Sequence, residues 1–311
     1  MRPRETELRR RLLKGLKYCH QQEFPLPGVQ DSVQCDVYLR QLIDSIRRVQ
    51  FVSVVAHRDI HPDRANGLSP MFDPIRAASL KCRSGNFDEA CWLTFLFVHF
   101  GRHPVSGYRY AREFYSALGQ REAWTYDAVS ADTQGMRDWL DRNEQYLRRG
   151  KRRGFGNHRK YLSWSGSGKN GTGDALESYV QWVGKRGGHA SLFDIALWES
   201  ENSPERAFEW LYQSMGCVAT FGRIGRFDYL TMLQKLGFAG ILPGRPYLDS
   251  STRGPNTGAR LLLEDDKRLS IEELERRVQV VGRSLGVGMQ EMEDSLCNWG
   301  KNPNVYRYFR G

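Results

Sequence analysis

Apolar residues in this chain recur at steps of three and four and almost never alternate, so most of it can fold only as amphipathic helices. Segment 36–55 carries Leu39, Leu42, Ile43, Ile46 and Val49 on such a stripe. His57 to Pro74 holds three prolines and Gly67 and reads as an ordered loop. Helices are expected over 74–100, broken at Ser84-Gly85-Asn86, and over 106–118, 133–148, 174–184, 190–198 and 204–219. Ala90 to Phe100 is apolar on nearly every face and belongs in a core. Ser203 before Pro204 marks a helix start. A helix over 227–236 ends at Gly237. Ser270 with Glu273 forms a capping box before 271–285. The expected fold is all-α and two-lobed, with residues 1–35 as a basic N-terminal helix or arm and 36–311 as the helical domain.

Charge narrows the partners. The 311 residues carry a formal net charge of +10, with a pI near 9.4, which favours a polyanion. Arginine dominates the surplus, and its planar fork suits phosphates and base edges. The six cysteines are scattered without a C-x-x-C pair, which argues against a zinc ribbon, an iron–sulfur cluster or a disulfide framework. A cytoplasmic monomer is expected, with no metal, no cofactor and no membrane span. His57/His61 and His99/His103 are spaced by four, but Pro62 and Pro104 follow directly and push the preceding residue out of helical geometry.

Two stretches lack helical periodicity, 150–173 and 241–258, and both are candidate DNA-facing loops. Ser167 to Gly173 resembles a phosphate loop but has Ser163 and Asn170 where that pattern needs Gly and Ser or Thr. Its backbone amides remain candidates to cradle a DNA phosphate. Phe155-Gly156-Asn157-His158-Arg159-Lys160-Tyr161 interleaves aromatics with polar and basic groups after Lys151, Arg152 and Arg153, as nucleic-acid-binding loops do. In Phe221 to Tyr229, Arg223, Arg226 and Asp228 lie within two turns. A charged Asp there could stabilise a developing cation or activate a nucleophile; a structural Arg–Asp pair is the competing reading. Residues 230–263 can be read as an expanded helix-hairpin-helix unit.

Together with Phe72 to Ala78, Asp88 to Leu93, His99 to Arg102, Gly258 to Leu262 and Leu296 to Trp299, these motifs resemble the α-glutamyl/putrescinyl thymine pyrophosphorylase family, most closely its third clade. The resemblance runs from about Tyr38 to the C-terminus. It implies an all-α fold related to helix-hairpin-helix DNA glycosylases. It also implies action on modified pyrimidines of double-stranded DNA, as in phage genomes. Two activities accompany it: displacement of pyrophosphate from a modified base by an amine or amino acid, and excision of a hypermodified base in anti-phage defence. Excision is the leading expectation, and it would proceed without β-elimination, because 241–258 contains no Lys where lyase-competent relatives carry one; transfer is the alternative, and a non-catalytic DNA-binding module the third. Asp228, Asp88, Glu89 and His99 are the catalytic candidates. Asn157 and His158 would read the base. Arg102, Lys160, Arg223 and Arg226 would hold phosphates, and Tyr161, Tyr229, Asn298 and Lys301 complete the DNA-facing set.

Overall fold

Several helices start where a side chain can satisfy orphan backbone amides. A computed structural model describes residues 3–150, 154–249, 254–263 and 269–308. Among these residues the chain is helical, without a strand: α1 (Pro3–Gln22), α2 (Ser32–His57), α3 (Pro74–Arg83), α4 (Phe87–Phe100), α5 (Arg109–Tyr115), α6 (Tyr126–Ala131), α7 (Thr133–Arg148), α8 (Thr172–Gly184), α9 (His189–Glu199), α10 (Pro204–Ser214), α11 (Arg223–Leu236), α12 (Pro255–Leu263), α13 (Ile271–Leu285) and α14 (Met289–Trp299). Asn86 accepts from Glu89 N at 3.2 Å and restarts the helical run after the break at Gly85. Ser203 caps α10 and Ser270 caps α13. Gly237 and Gly286 close α11 and α13 in the left-handed region. No described helix is long and apolar enough to cross a membrane.

The described residues fall into two compact units, one drawn from 1–52 and 243–310, the other from 53–242. The first gathers α1, most of α2, and α12 to α14. Its core holds Leu12, Leu16, Leu39, Leu42, Leu262, Val278, Leu296 and Trp299. The segment 1–35 contributes α1, whose apolar stripe is buried in that core, and two of its charges pair within the unit: Arg9 with Asp36 at 2.9 Å, and Glu5 with Arg47 at 2.9 Å.

The second unit is built around α4. Its side chains are buried along nearly the whole length because no face is polar. Phe95 stacks on Tyr179 of α8 with centroids 3.7 Å apart, and on Phe221 at 4.6 Å. Trp92 Nε1 donates to Trp124 O at 2.9 Å. α11 belongs to this unit and α12 to the other, because the stretch between them supplies Ile241 to one set of buried residues and Leu248 to another core.

Candidate functional site

The segment 155–161 is fixed on the C-terminal end of α4 by a backbone-to-backbone contact. Gly156 N donates to Phe100 O at 2.7 Å. A Cβ on Gly156 would stand 2.6 Å from Gly101 Cα and 2.8 Å from Arg102 N. Gly101 itself has φ +64° and ends the helix. Only glycines permit this approach. It sets Arg102 beside the 155–161 loop.

From that anchor the loop meets α11. Arg159 is buried; its Nε donates to Val98 O at 3.1 Å, and its guanidinium lies 4.8 Å over the Phe221 ring. Gly225 makes room for it, since a Cβ there would stand 2.5 Å from Nη2. That Nη2 has no hydrogen-bond partner among the described residues. Burial pulls the Arg159 guanidinium below its usual range, and the nearby Asp228 carboxylate pushes it back up. His158, the preceding residue, brings Nδ1 to 3.6 Å from Asp228 Oδ2. Both side chains are about two-fifths exposed, at 45% and 39%. Two motifs some seventy residues apart in sequence thus meet in one half-open acid–imidazole pair over a buried cation.

The other expected residues divide. Arg226 packs on α10: its Nη1 donates to Tyr212 O at 3.0 Å and its guanidinium stacks over the Tyr212 ring. Arg223 opens the first turn of α11. Lys160 and Tyr161 are exposed, with the ammonium 4.9 Å over the Tyr161 ring. Arg102 is exposed as well. The side chain of Asn157, and Lys151 to Arg153, lie outside the described residues. Asn298 and Lys301 belong to the other unit, where Asn298 donates to Asp294 O at 2.9 Å and accepts from Lys301 Nζ at 3.2 Å.

Three expected site residues are placed in the interior. His99 is fully buried, so it does not reach a cleft. Thr172 Oγ1 gives its proton to Ser163 O, which leaves it to accept from His99 Nε2 at 3.2 Å. Burial, and then the Arg159 charge, push His99 down to about 3. It is a neutral core imidazole that ties α4 to the start of α8. Glu89 is buried and accepts from Tyr115 OH at 2.6 Å and Tyr126 N at 2.8 Å. Burial raises its carboxyl above the usual range. It holds α6 rather than facing solvent. Tyr229 is also fully buried, so its ring cannot stack on a base.

Tyr229 instead ends a hydrogen-bonded chain that the sequence patterns did not suggest. Its hydroxyl lies 2.7 Å from Tyr179 OH, which lies 2.6 Å from His189 Nε2. His189 Nδ1 is 2.5 Å from Asp88 Oδ1, which also accepts from His189 N at 2.8 Å. Burial lowers His189, while Asp88 opposes that. The hydrogen bond from His189 holds Asp88 below the usual carboxylate range. A neutral imidazole donating to Asp88 and accepting from Tyr179 satisfies every group. Asp88 thereby serves as a cap for α9 supplied from α4.

The glycine-rich stretch 166–170 turns its amides inward. Gly166 N and Ser167 N donate to Asp141 Oδ1 at 2.7 and 3.2 Å, Gly168 N to Ser165 Oγ and Asn170 N to Asp174 Oδ2, each at 2.7 Å. These amides are not open to a phosphate.

Sequence reasoning passed over Arg159 and His189. The signal for Arg159 is Gly225, a glycine in the first turn of a helix, where nothing local requires one. No solved structure and no curated protein matches this chain. Residues 33–311 match the family described as alpha-glutamyl/putrescinyl thymine pyrophosphorylase clade 3.

Proposed function

The chain belongs to the alpha-glutamyl/putrescinyl thymine pyrophosphorylase clade 3 family, and on that premise we propose that it is an enzyme acting on a modified thymine of DNA, with Asp228 and His158 as its reacting pair. The observation that carries this reading is the half-exposed carboxylate and imidazole held 3.6 Å apart over the buried Arg159. The separation exceeds a direct hydrogen bond, so one proton-bearing atom of a substrate can address both groups. Lys160 is exposed near that pair in sequence, and a duplex meets a chain of net charge +10. A base inside the stack is out of reach, so it must be turned out into the site.

In the transfer reading, the nitrogen of an amine attacks the methylene carbon on the base. The carbon–oxygen bond to the diphosphate breaks, and its electron pair leaves with the diphosphate. The proton shed by the amine passes to His158, and Asp228 stabilises the imidazolium that results. General-base assistance of this kind is worth about 10²–10⁴-fold. The description of the family favours this reading.

Excision is the second reading, and the exposure of Asp228 favours it. A carboxylate beside the flipped nucleotide would stabilise an oxocarbenium-like sugar. The bond to the base breaks with its electrons going to the base, water adds at the sugar carbon, and the proton that water sheds passes through Asp228 to the departed base.

The test is incubation of the full chain with phage DNA carrying hypermodified pyrimidines, with and without an amine donor, followed by nucleoside mass spectrometry and an abasic-site assay. A new aminated nucleoside supports transfer; abasic sites without the amine support excision. Unchanged nucleosides and no abasic sites on every such DNA would overturn both.

A further inference from the structure

A cleft in the second unit gathers five arginines that the Asp228–His158 pair does not use. Arg64, Arg76, Arg102, Arg109 and Arg112 line a space of about 600 Å³, with Tyr108 in its wall. That volume is within the roughly 300–1,000 Å³ of small-ligand sites. A tight turn shapes the rim: His103 and Gly107 exchange both backbone hydrogen bonds at 2.9 Å. Arg102 precedes that turn and α5, with Arg109 and Arg112, follows it.

The charges do not cancel. Arg76 pairs with Asp73, and Arg109 Nε donates to Glu113 at 2.5 Å. Arg64 spends one donor on the neutral Met71 O at 3.0 Å. Arg102 and Arg112 make no side-chain hydrogen bond or ion pair with a described residue. Five guanidinium groups against two carboxylates leave three positive charges in one concavity. Tyr108 adds a neutral phenol, since burial and then Asp73 keep its proton on. Such a set disfavours itself unless an anion of matching charge enters, and guanidinium forks suit phosphoryl oxygens in pairs.

We propose that this cleft binds two linked phosphoryl groups, a diphosphate. Two linked phosphoryl groups, the outer one carrying about 1.5–2 negative charges near neutral pH and the inner one about one, match the surplus, whereas one carboxylate would leave most of it uncompensated. The proposal rests on the reading of a substrate that carries or releases a diphosphate. The same oxygen chemistry is present in the DNA backbone, and the test separates the two.

The experiment titrates inorganic pyrophosphate, and separately an unmodified DNA duplex, into the full chain, into the double variant Arg102→Ala/Arg112→Ala and into Asp228→Asn. Unfolding midpoints check that each variant is folded. Pyrophosphate is expected to bind the native chain and Asp228→Asn alike, and to lose about tenfold or more of its affinity in the arginine double variant. Duplex affinity should change by about twofold or less. Arg102→Lys/Arg112→Lys, which keeps the charge without the fork, should recover only part of the loss. Duplex affinity that falls while pyrophosphate fails to bind would give the cleft to the DNA backbone and overturn the diphosphate. Neither ligand responding would overturn the site as a whole. Pyrophosphate that binds through these arginines in a chain inert on modified DNA would leave the cleft standing and remove the proposed reaction.

Discussion

At the residue scale, the pair Asp228 and His158 was legible because both stood in motifs whose residue types carry chemistry. Their meeting was not legible, since seventy residues of helix and loop separate them and only the fold closes that distance. Arg159 and His189 went unread for the same reason: each gets its meaning from a partner on another segment, Gly225 and Asp88. Asp228→Asn should lower turnover on modified DNA by about 10²–10⁴-fold and lower the unfolding midpoint only modestly, because the side chain is 39% exposed yet steadies the charge of the buried Arg159. Steady-state kinetics beside thermal unfolding checks both halves. Asp88→Ala should do the reverse. It leaves His189 Nδ1 and the first amide of α9 without an acceptor and should cost about 1–3 kcal/mol of stability, with turnover of the folded protein close to native.

The buried imidazole of His99 gives a pH dependence of known sign. Its folded value of about 3 lies below the ordinary 6.5, so the unfolded chain binds the extra proton. Stability from this group is fully present above pH 6.5 and drains away as pH falls toward 3. Asp88, held low by His189, adds a loss below its ordinary 3.8. Unfolding midpoints measured across pH 7 to 4 should fall for the native chain and fall less steeply for His99→Gln.

At the element scale, helices announced by caps and periodicity were readable to within a few residues. α7 and α13 match their expected spans, and Ser203 and Ser270 cap as their patterns suggested. α11 starts at Arg223 rather than 227, since its cap is Gly222, which offers no side-chain signal, and since Gly225 reads as a break when its role is to admit Arg159. α5 is shorter than 106–118 because the turn at His103–Gly107 uses the residues before it. The loop 155–161 depends on the Gly101–Gly156 crossing. Gly156→Ala forces a Cβ to within 2.6 Å of Gly101 Cα, and the loop must shift. The expected outcome is about 1–3 kcal/mol of lost stability and about a hundredfold loss of turnover, since a misplacement near 1 Å is worth that much.

At the scale of the whole molecule, the all-α class followed from periodicity alone, whereas the grouping of the two units did not. Residues 1–52 join 243–310 across the chain, a long-range pairing that no local pattern encodes. It packs α1 beside α13 and places α11 and α12 in different units. The arginine cleft escaped notice likewise, because its five charges come from four separated segments. The net charge of +10 leads to a salt-dependent grip on duplex DNA. Lys160→Ala should flatten the slope of log affinity against log salt by about one, as read from binding titrations at several ionic strengths.

The central claim is that Asp228 and His158 act together on a modified thymine in DNA. Nucleoside mass spectrometry of phage DNA carrying hypermodified thymine, after exposure to the native chain, to Asp228→Asn or to His158→Gln, tests it most directly. The native chain should convert or remove the modified nucleoside, and each variant should leave it intact at the same protein concentration. Conversion by both variants at the native rate would contradict the claim.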